Sequence, residues 1–357
     1  MPPIRISWGS SGRINQKLIL TKDDPLADQN DVLLEVKNLR TYFKLTEGTL
    51  KAVDDVSFNV RKGRTLGVLG ESGCGKSVTA QSILQIVPTP GRVEGHVFYS
   101  GGKSTIDLLT LPAEGESMRE IRGREIAMIF QEPMTAFSPV HTIGNQIMET
   151  MLVHDTTATK EEAQAKAVEL LGRVGIAMPE TRIHEFPFQL SGGMRQRSMI
   201  AMALMMKPKL LIADEPTTAL DVTIQAQILR LIKELQAEMG MSVMFITHNL
   251  GVITNMADEV AVMYLGKIVE IGDVRQVFKS AMHPYTQALL LSIPRVGRKE
   301  KTRLQAIGGN VPVPLDPPPA CGFFSRCSRA VPGRCDAGVP ELIETQPGHF
   351  VRCVLYQ

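Results

Sequence analysis

The run Gly70-Glu71-Ser72-Gly73-Cys74-Gly75-Lys76-Ser77 directly follows the short apolar segment Thr65 to Leu69. The glycines let the backbone curl until successive N–H groups point into one concavity, which is what a polyphosphate requires. In the pattern G-x-x-x-x-G-K-[ST], Lys76 reaches toward β- and γ-phosphates and the Ser77 hydroxyl toward Mg²⁺. A chance Gly-rich turn with a solvated lysine is the plain alternative. The strand before the loop and the helix-compatible segment Val78 to Ile86 after it argue against that. Cys74 is read as a bystander whose backbone N–H, not its thiol, serves the loop.

Such a loop belongs at a strand-to-helix turn of an α/β domain, and the rest of the chain supplies one. Short apolar runs bounded by turn residues, Leu66 to Leu69, Ile126 to Phe130, Leu210 to Ala213 and Val243 to Ile246, read as strands of a largely parallel sheet covered on both faces. Alternation at Leu34, Val36, Val56, Phe58 and Val60 marks earlier strands. Helices fall between them. Thr159 with Glu162 forms a capping-box pattern ahead of Ala163, Ala167, Leu170, Leu171 and Val174. Asp221 precedes the stripe Ile224, Ile228, Leu231, Ile232 and Leu235. With 43% hydrophobic and 21% charged residues in 357, the chain has the composition of a folded protein. Lys+Arg 39 against Asp+Glu 37 gives a net charge of +2, which provides no polybasic field, so nucleic acid is not an expected partner. No run approaches a membrane-spanning length and the start lacks a signal-peptide core, so the chain is expected in the cytosol.

A phosphate loop that binds Mg·ATP needs further oxygen ligands for the metal. Leu210-Leu211-Ile212-Ala213-Asp214-Glu215 ends an apolar strand in two carboxylates. Asp214 is suited to Mg²⁺ and Glu215 to polarising an attacking water. Leu190-Ser191-Gly192-Gly193-Met194-Arg195-Gln196-Arg197 adds a Ser-Gly-Gly helix start, a second anion-binding N-terminus. With these elements in this order, the sequence resembles the ATP-binding cassette superfamily, whose signature is L-S-G-G-x-x-Q. The resemblance implies a P-loop NTPase with a RecA-like α/β core and a helical subdomain. It makes Gln131 the sensor of Mg²⁺ and water, His248 the switch histidine at the γ-phosphate, and Thr218-Ala219-Leu220-Asp221 the loop exchanged between two cassettes. Val78 belongs to the phosphate-binding turn. Phe43, with Tyr42 beside it, is the candidate for stacking on adenine; two such aromatics are also ordinary core material.

Glu132-Pro133-Met134, Gln225-Ala226-Gln227 and His283-Pro284-Tyr285-Thr286-Gln287-Ala288-Leu289 narrow the likeness to the ATPase subunits of oligopeptide and dipeptide permeases. It covers roughly residues 32 to 355. Ala136-Phe137-Ser138-Pro139 departs from a Ser-Leu-Asn-Pro type run, in the region that would face the membrane partner. The implied organisation is an N-terminal tail over residues 1–31 and an ATPase domain over 32–283, with its helical subdomain near 134–190. A C-terminal extension over 284–357 follows, stiffened by Pro294, Pro312, Pro314 and Pro317-Pro318-Pro319.

The extension holds Cys321, Cys327, Cys335 and Cys353, separated by five, seven and seventeen residues. Four soft thiolates in a short tail call for a metal staple. Zinc sites usually show paired C-x₂₋₄-C knuckles, which are absent, whereas an iron–sulfur cluster accepts wider spacing. Members of the related permease ATPases carry a [4Fe–4S] cluster at such a tail, which makes that cluster the first expectation and zinc the second. Four unligated buried thiols are the plain alternative.

The resulting expectation is a subunit on the cytoplasmic face of the inner membrane, held peripherally by two transmembrane permease subunits. A second cassette, identical or homologous, completes each ATP site, and a solute-binding protein delivers oligopeptides or dipeptides. Nickel, glutathione or sugar cargo is the alternative within this class. Outside it stands a soluble ATPase of DNA repair or translation. The roughly sixty residues between Gln131 and Ser191 leave no room for the coiled coil of the former, and one phosphate loop does not make the two cassettes of the latter. A redox or metal-sensing module, with the cysteine tail primary, is a third reading.

Overall fold

The computed structural model describes residues 31–102, 104–132, 136–218, 220–292 and 307–357. Residues 1–30 of the expected tail, Pro133 and Met134 of the permease-like run, Ala219 and Pro294 lie outside the described residues.

The strands are β1 Val32–Leu45, β2 Gly48–Arg61, β3 Thr65–Leu69, β4 Gly91–Tyr99, β5 Ile106–Asp107, β6 Ile126–Ile129, β7 Leu210–Asp214, β8 Ser242–Thr247, β9 Glu259–Tyr264, β10 Lys267–Asp273, β11 Ile343–Gln346 and β12 His349–Val351. One sheet is antiparallel, in the order β2-β1-β4-β5; the other has eight strands in the order β11-β12-β10-β9-β3-β8-β7-β6. Within the larger sheet β6, β7, β8, β3 and β9 run parallel, while β10, β12 and β11 are antiparallel.

The central strands are apolar throughout because each face meets a different core. Val243 and Phe245 of β8, Leu211 and Ala213 of β7 and Val260 and Val262 of β9 pack into the helical side. Met244 and Ile246, Leu210 and Ile212, and Ala261 and Met263 pack toward the antiparallel sheet. The period of two along a strand assigns neighbours to opposite layers. β6 ends at Ile129 rather than at the expected Phe130, which is 37% exposed.

The helix after the phosphate loop spans Lys76–Ile83, starting and stopping earlier than the expected Val78 to Ile86. Gln85 has φ +51°, a left-handed conformation that a helix does not continue through. Helix Lys160–Arg173 begins with the Thr159–Glu162 capping box, with Thr159 N–H donating to Glu162 Oε2 at 2.8 Å. Asp221 Oδ1 accepts from the N–H groups of Thr223 and Ile224, each at 3.0 Å, at the start of helix Val222–Met239. Of that helix's expected stripe, Ile228, Leu231, Ile232 and Leu235 are buried, and Ile224 is half-buried against Gly193. Helix Ile143–His154 packs with Lys160–Arg173 and Gly192–Leu204 as a helical unit beside the sheet.

The C-terminal stretch shares its packing with the rest of the molecule. Hairpin β11–β12 extends the eight-stranded sheet from β10. The proline run returns along β2, where Lys51 N–H donates to Pro314 O at 2.9 Å and Asp316 N–H to Thr49 O at 3.0 Å. Phe323, Cys321 and Cys327 pack against the helical-side core. No described helix is long and apolar enough to cross a membrane.

Candidate functional site

β3 delivers the chain into the glycine loop, and the geometry there admits nothing larger than glycine at two positions. A Cβ on Gly70 would lie 2.4 Å from Met263 O; one on Gly75, whose φ is +101°, would lie 2.1 Å from Ala52 O. Gly73 also has a positive φ, +78°. Ser72 and Gly73 are exposed and Val78 is half-buried. Cys74 is buried, and burial raises its thiol above the usual range, which keeps it protonated and fits the bystander reading. Lys76 is buried and folded back on its own loop, its Nζ donating to Gly70 O at 2.9 Å and Glu71 O at 3.0 Å.

Beside the loop, β7 ends in Asp214 and Glu215. Burial raises the Asp214 carboxyl above its ordinary value, the Glu215 charge adding to the rise and neighbouring Ser77 and the Lys76 charge acting against it. Asp214 Oδ1 is buried and has no hydrogen-bond partner. A divalent cation supplies what such an oxygen lacks, and Ser77 and Asp214 are the donors that would hold Mg²⁺. Glu215 has φ +45°, and its N–H donates to Ile246 O of β8 at 2.9 Å. Thr218 Oγ1 donates to Glu215 Oε2 at 2.8 Å, His248 Nδ1 stands 3.1 Å from Oε1, and Lys76 Nζ lies 3.9 Å away. Burial works against ionisation here, but the His248 and Thr218 hydrogen bonds and the adjacent charges outweigh it, so the carboxyl is held below its ordinary value. A carboxylate so placed accepts hydrogen bonds and can orient a water.

Lys76, Ser77, Asp214, Glu215 and His248 are therefore brought together. Gln131 is exposed just beyond β6, whose Ile129 pairs with Ala213 of β7, so it stands on the same edge of the sheet. The signature is elsewhere. Ser191 caps helix Gly192–Leu204, its Oγ accepting from Met194 N–H at 3.3 Å. Ser191 and Gly192 are exposed, and a Cβ on Gly193 would lie 3.1 Å from Ile224 Cγ2, on the helix Val222–Met239 rather than on the phosphate loop. Phe43 is half-buried and adjoins Gly91, while Tyr42 donates to Asp54 Oδ1 at 3.0 Å.

Two contacts at the loop were not legible in the sequence. Glu71 forms a two-pronged ion pair with Arg326, at 2.8 and 3.1 Å, and its N–H donates to Tyr285 Oη at 3.0 Å. Tyr285 lies in a run whose likeness was noted, but partners 214 and 255 residues away from Glu71 leave no local pattern.

Cys321, Cys327, Cys335 and Cys353 border one cavity, walled otherwise mainly by apolar groups of Pro284, Phe323, Phe324, Val354 and Leu355. Against the expectation of a metal staple, no group of three or more His, Cys, Asp or Glu among the described residues stands ready to hold a metal ion. Burial pushes the Cys321 thiol up to about 11 and raises Cys327 and Cys353 as well. Protonated thiols pack as small apolar groups, and a metal must displace their protons before it can draw them together.

Residues 53–218 match the family described as ABC transporter, and residues 269–335 match the oligopeptide/dipeptide transporter C-terminal region. The chain is 51% identical over 325 residues to the probable peptide ABC transporter ATP-binding protein y4tR of Sinorhizobium fredii, covering 90% of this chain and 95% of that protein. It is 48% identical over 325 residues to the oligopeptide transport ATP-binding protein AppD of Bacillus subtilis, covering 91% and 97% respectively. Among solved structures, the dimeric bacterial ABC transporter cassette MJ0796 superposes with a TM-score of 0.60 at 27% identity, covering 68% of this chain and 99% of that one. The same cassette is known as a dimer in a post-hydrolysis state with ADP and Pi, again at a TM-score of 0.60. The nucleotide-binding geometry, the two family matches and an identity near one half over nine-tenths of the chain agree: this chain belongs to the ATP-binding subunits of the oligopeptide/dipeptide ABC transporters.

Proposed function

We propose that this chain hydrolyses ATP to drive uptake of oligopeptides or dipeptides, as one of two facing cassettes beneath two permease subunits at the cytoplasmic membrane face, with a solute-binding protein supplying cargo. The observation that carries the reading is a divided site. Lys76, Ser77, Asp214, Glu215 and His248 gather at one sheet edge, while Ser191 and Gly192 are exposed on a different element. A second cassette brings its own signature helix to the exposed face of the nucleotide. Relatives named for peptide import, among them a putative peptide import ATP-binding protein of Brucella melitensis, support the cargo class and direction.

In the working site Lys76 releases the carbonyls of Gly70 and Glu71 and turns to the β- and γ-phosphates. The loop N–H groups from Gly70 to Ser77, with Val78 following, cradle the phosphates. Phe43 stacks on the base. Ser77, Asp214 and Gln131 would hold Mg²⁺, which would supply neutralisation of charge developing on the phosphates. Glu215 takes a proton from the water that attacks the γ-phosphorus in line, and the bond to the leaving ADP oxygen breaks. His248 orients Glu215 and supports the γ-phosphate. Ser191, Gly192 and Gly193 of the facing cassette donate from the other side. ATP favours the closed pair because only the closed pair makes both sets of contacts.

The four cysteines are assigned to a [4Fe–4S] cluster first and to zinc second. Support comes from their meeting at one largely apolar cavity and from spacing without zinc-type knuckles. Anaerobic purification with iron, sulfide and zinc analysis tests this: about four irons per chain are expected, and neither metal near stoichiometry rejects it. For the transport reading, the full chain is reconstituted with its co-purified membrane partners in vesicles. ATP-dependent accumulation of labelled di- or oligopeptides is expected. ATP turnover with no peptide uptake would move the cargo to another solute, such as nickel, glutathione or a sugar.

A further inference from the structure

Glu71, the second residue of the phosphate loop, is gripped at every polar group it has. Its carboxylate receives both Nη1 and Nη2 of Arg326 at 2.8 and 3.1 Å, and its N–H donates to Tyr285 Oη at 3.0 Å. Its carbonyl receives Lys76 Nζ at 3.0 Å and Cys74 N–H at 3.3 Å. Two of these grips come from the C-terminal part of the chain, more than 200 residues away, with separations of 255 and 214. Arg326 is itself fixed. Its Nη1 reaches Tyr264 Oη at 3.2 Å, its Nε donates to Gly308 O at 3.0 Å, and the guanidinium lies 5.7 and 5.9 Å from the ring centres of Tyr264 and Phe323. Only 5% of its side chain is exposed. Tyr264, Tyr285 and Phe323 pack edge and face with centres 4.6–5.4 Å apart, so the platform is rigid.

We propose that Arg326 and Tyr285 are positioning residues of the ATP site: through Glu71 they hold the phosphate loop in its nucleotide-accepting shape. A planar, two-pronged ion pair fixes orientation as well as position, which a lysine would not do. It also neutralises a carboxylate that would otherwise repel polyphosphate. When Lys76 leaves the Glu71 carbonyl for ATP, the loop keeps its other anchors and does not have to be ordered again at the cost of binding energy. Arg326 ends the short helix Phe324–Arg326, which lies between Cys321 and Cys327. Whatever fixes those two thiols therefore fixes the anchor.

This rests on the loop being the ATP site, and equilibrium binding of a fluorescent ATP analogue to the full chain separates the two claims. Arg326→Met keeps the stem on the rings and removes the charge; it is expected to weaken binding about tenfold. In a Glu71→Ala background the same change is expected to have no further effect, because Arg326 acts only through Glu71. In steady-state hydrolysis the loss appears in KM for ATP, with kcat within about twofold. Tyr285→Phe, which keeps the buried ring, is expected to weaken binding about threefold and serves if Arg326→Met does not fold. Unchanged affinity in folded Arg326→Met, or an equal further loss in the Glu71→Ala background, overturns the proposal. So does unchanged affinity in Tyr285→Phe where that variant decides. A wild-type chain that does not bind the analogue overturns the ATP-site reading with it.

Discussion

Glu215 sits in a left-handed conformation, φ +45°, which costs a non-glycine residue energy and persists only where its surroundings impose it. Here the imposing contacts are its N–H to Ile246 O, Thr218 on one carboxylate oxygen and His248 on the other. The carboxyl is lowered, so the ionised form is the one present at neutral pH and persists as pH falls to the ordinary carboxylate range. In linkage terms, its contribution to stability is present above the unfolded value and is lost as pH falls through the lower folded value. Glu215→Gln keeps the shape and removes the proposed base. We expect hydrolysis to drop roughly 10²–10⁴-fold with ATP still bound, measured as phosphate release beside the nucleotide retained after gel filtration. The residue's identity was legible from the apolar strand that ends in two carboxylates. The strain and the His248 and Thr218 contacts were not, because they depend on where β8 and the turn after Glu215 lie in space.

Among the elements, the apolar central strands announced themselves because burial on two faces leaves a continuous run rather than an alternation. The sheet's other half was silent. β10 and β12 are joined by a buried pair, His349 Nε2 and Glu270 Oε1 at 2.8 Å, with both side chains fully inaccessible. Glu270 also accepts from the N–H groups of Met282 and His283 at 2.8 and 2.9 Å, so one carboxylate ties the hairpin, β10 and the start of helix Pro284–Leu291 together. His349→Ala leaves that carboxylate buried with two donors and no imidazole. A loss of roughly 3–5 kcal/mol is expected, read as a fall in unfolding midpoint in a denaturant titration. No change in midpoint would mean the hairpin is held by its backbone ladder alone. An isolated histidine and an isolated glutamate 79 residues apart carry no signal of this in the sequence.

At the scale of the molecule, the proposed function gives each chain half of two sites. Ser191→Arg fills the space a facing nucleotide would use but lies apart from the chain's own phosphate loop. It is expected to abolish hydrolysis in the assembled pair while ATP-analogue affinity of the single chain stays within about twofold, by fluorescence titration; a matching loss of single-chain affinity would place the signature at its own loop. The sequence by itself determined the chemistry: the glycine loop, the acidic strand end and the signature are contiguous motifs, written in neighbouring residues because backbone curl, strand burial and helix capping are local. Only the tertiary structure decided how these parts lean on one another. Arg326 reaches Glu71, the proline run returns along β2, and the four thiols meet at one cavity. Such contacts join residues hundreds of positions apart, and the reason they form is the burial and pairing available once the sheet has assembled, which no short stretch of chain encodes.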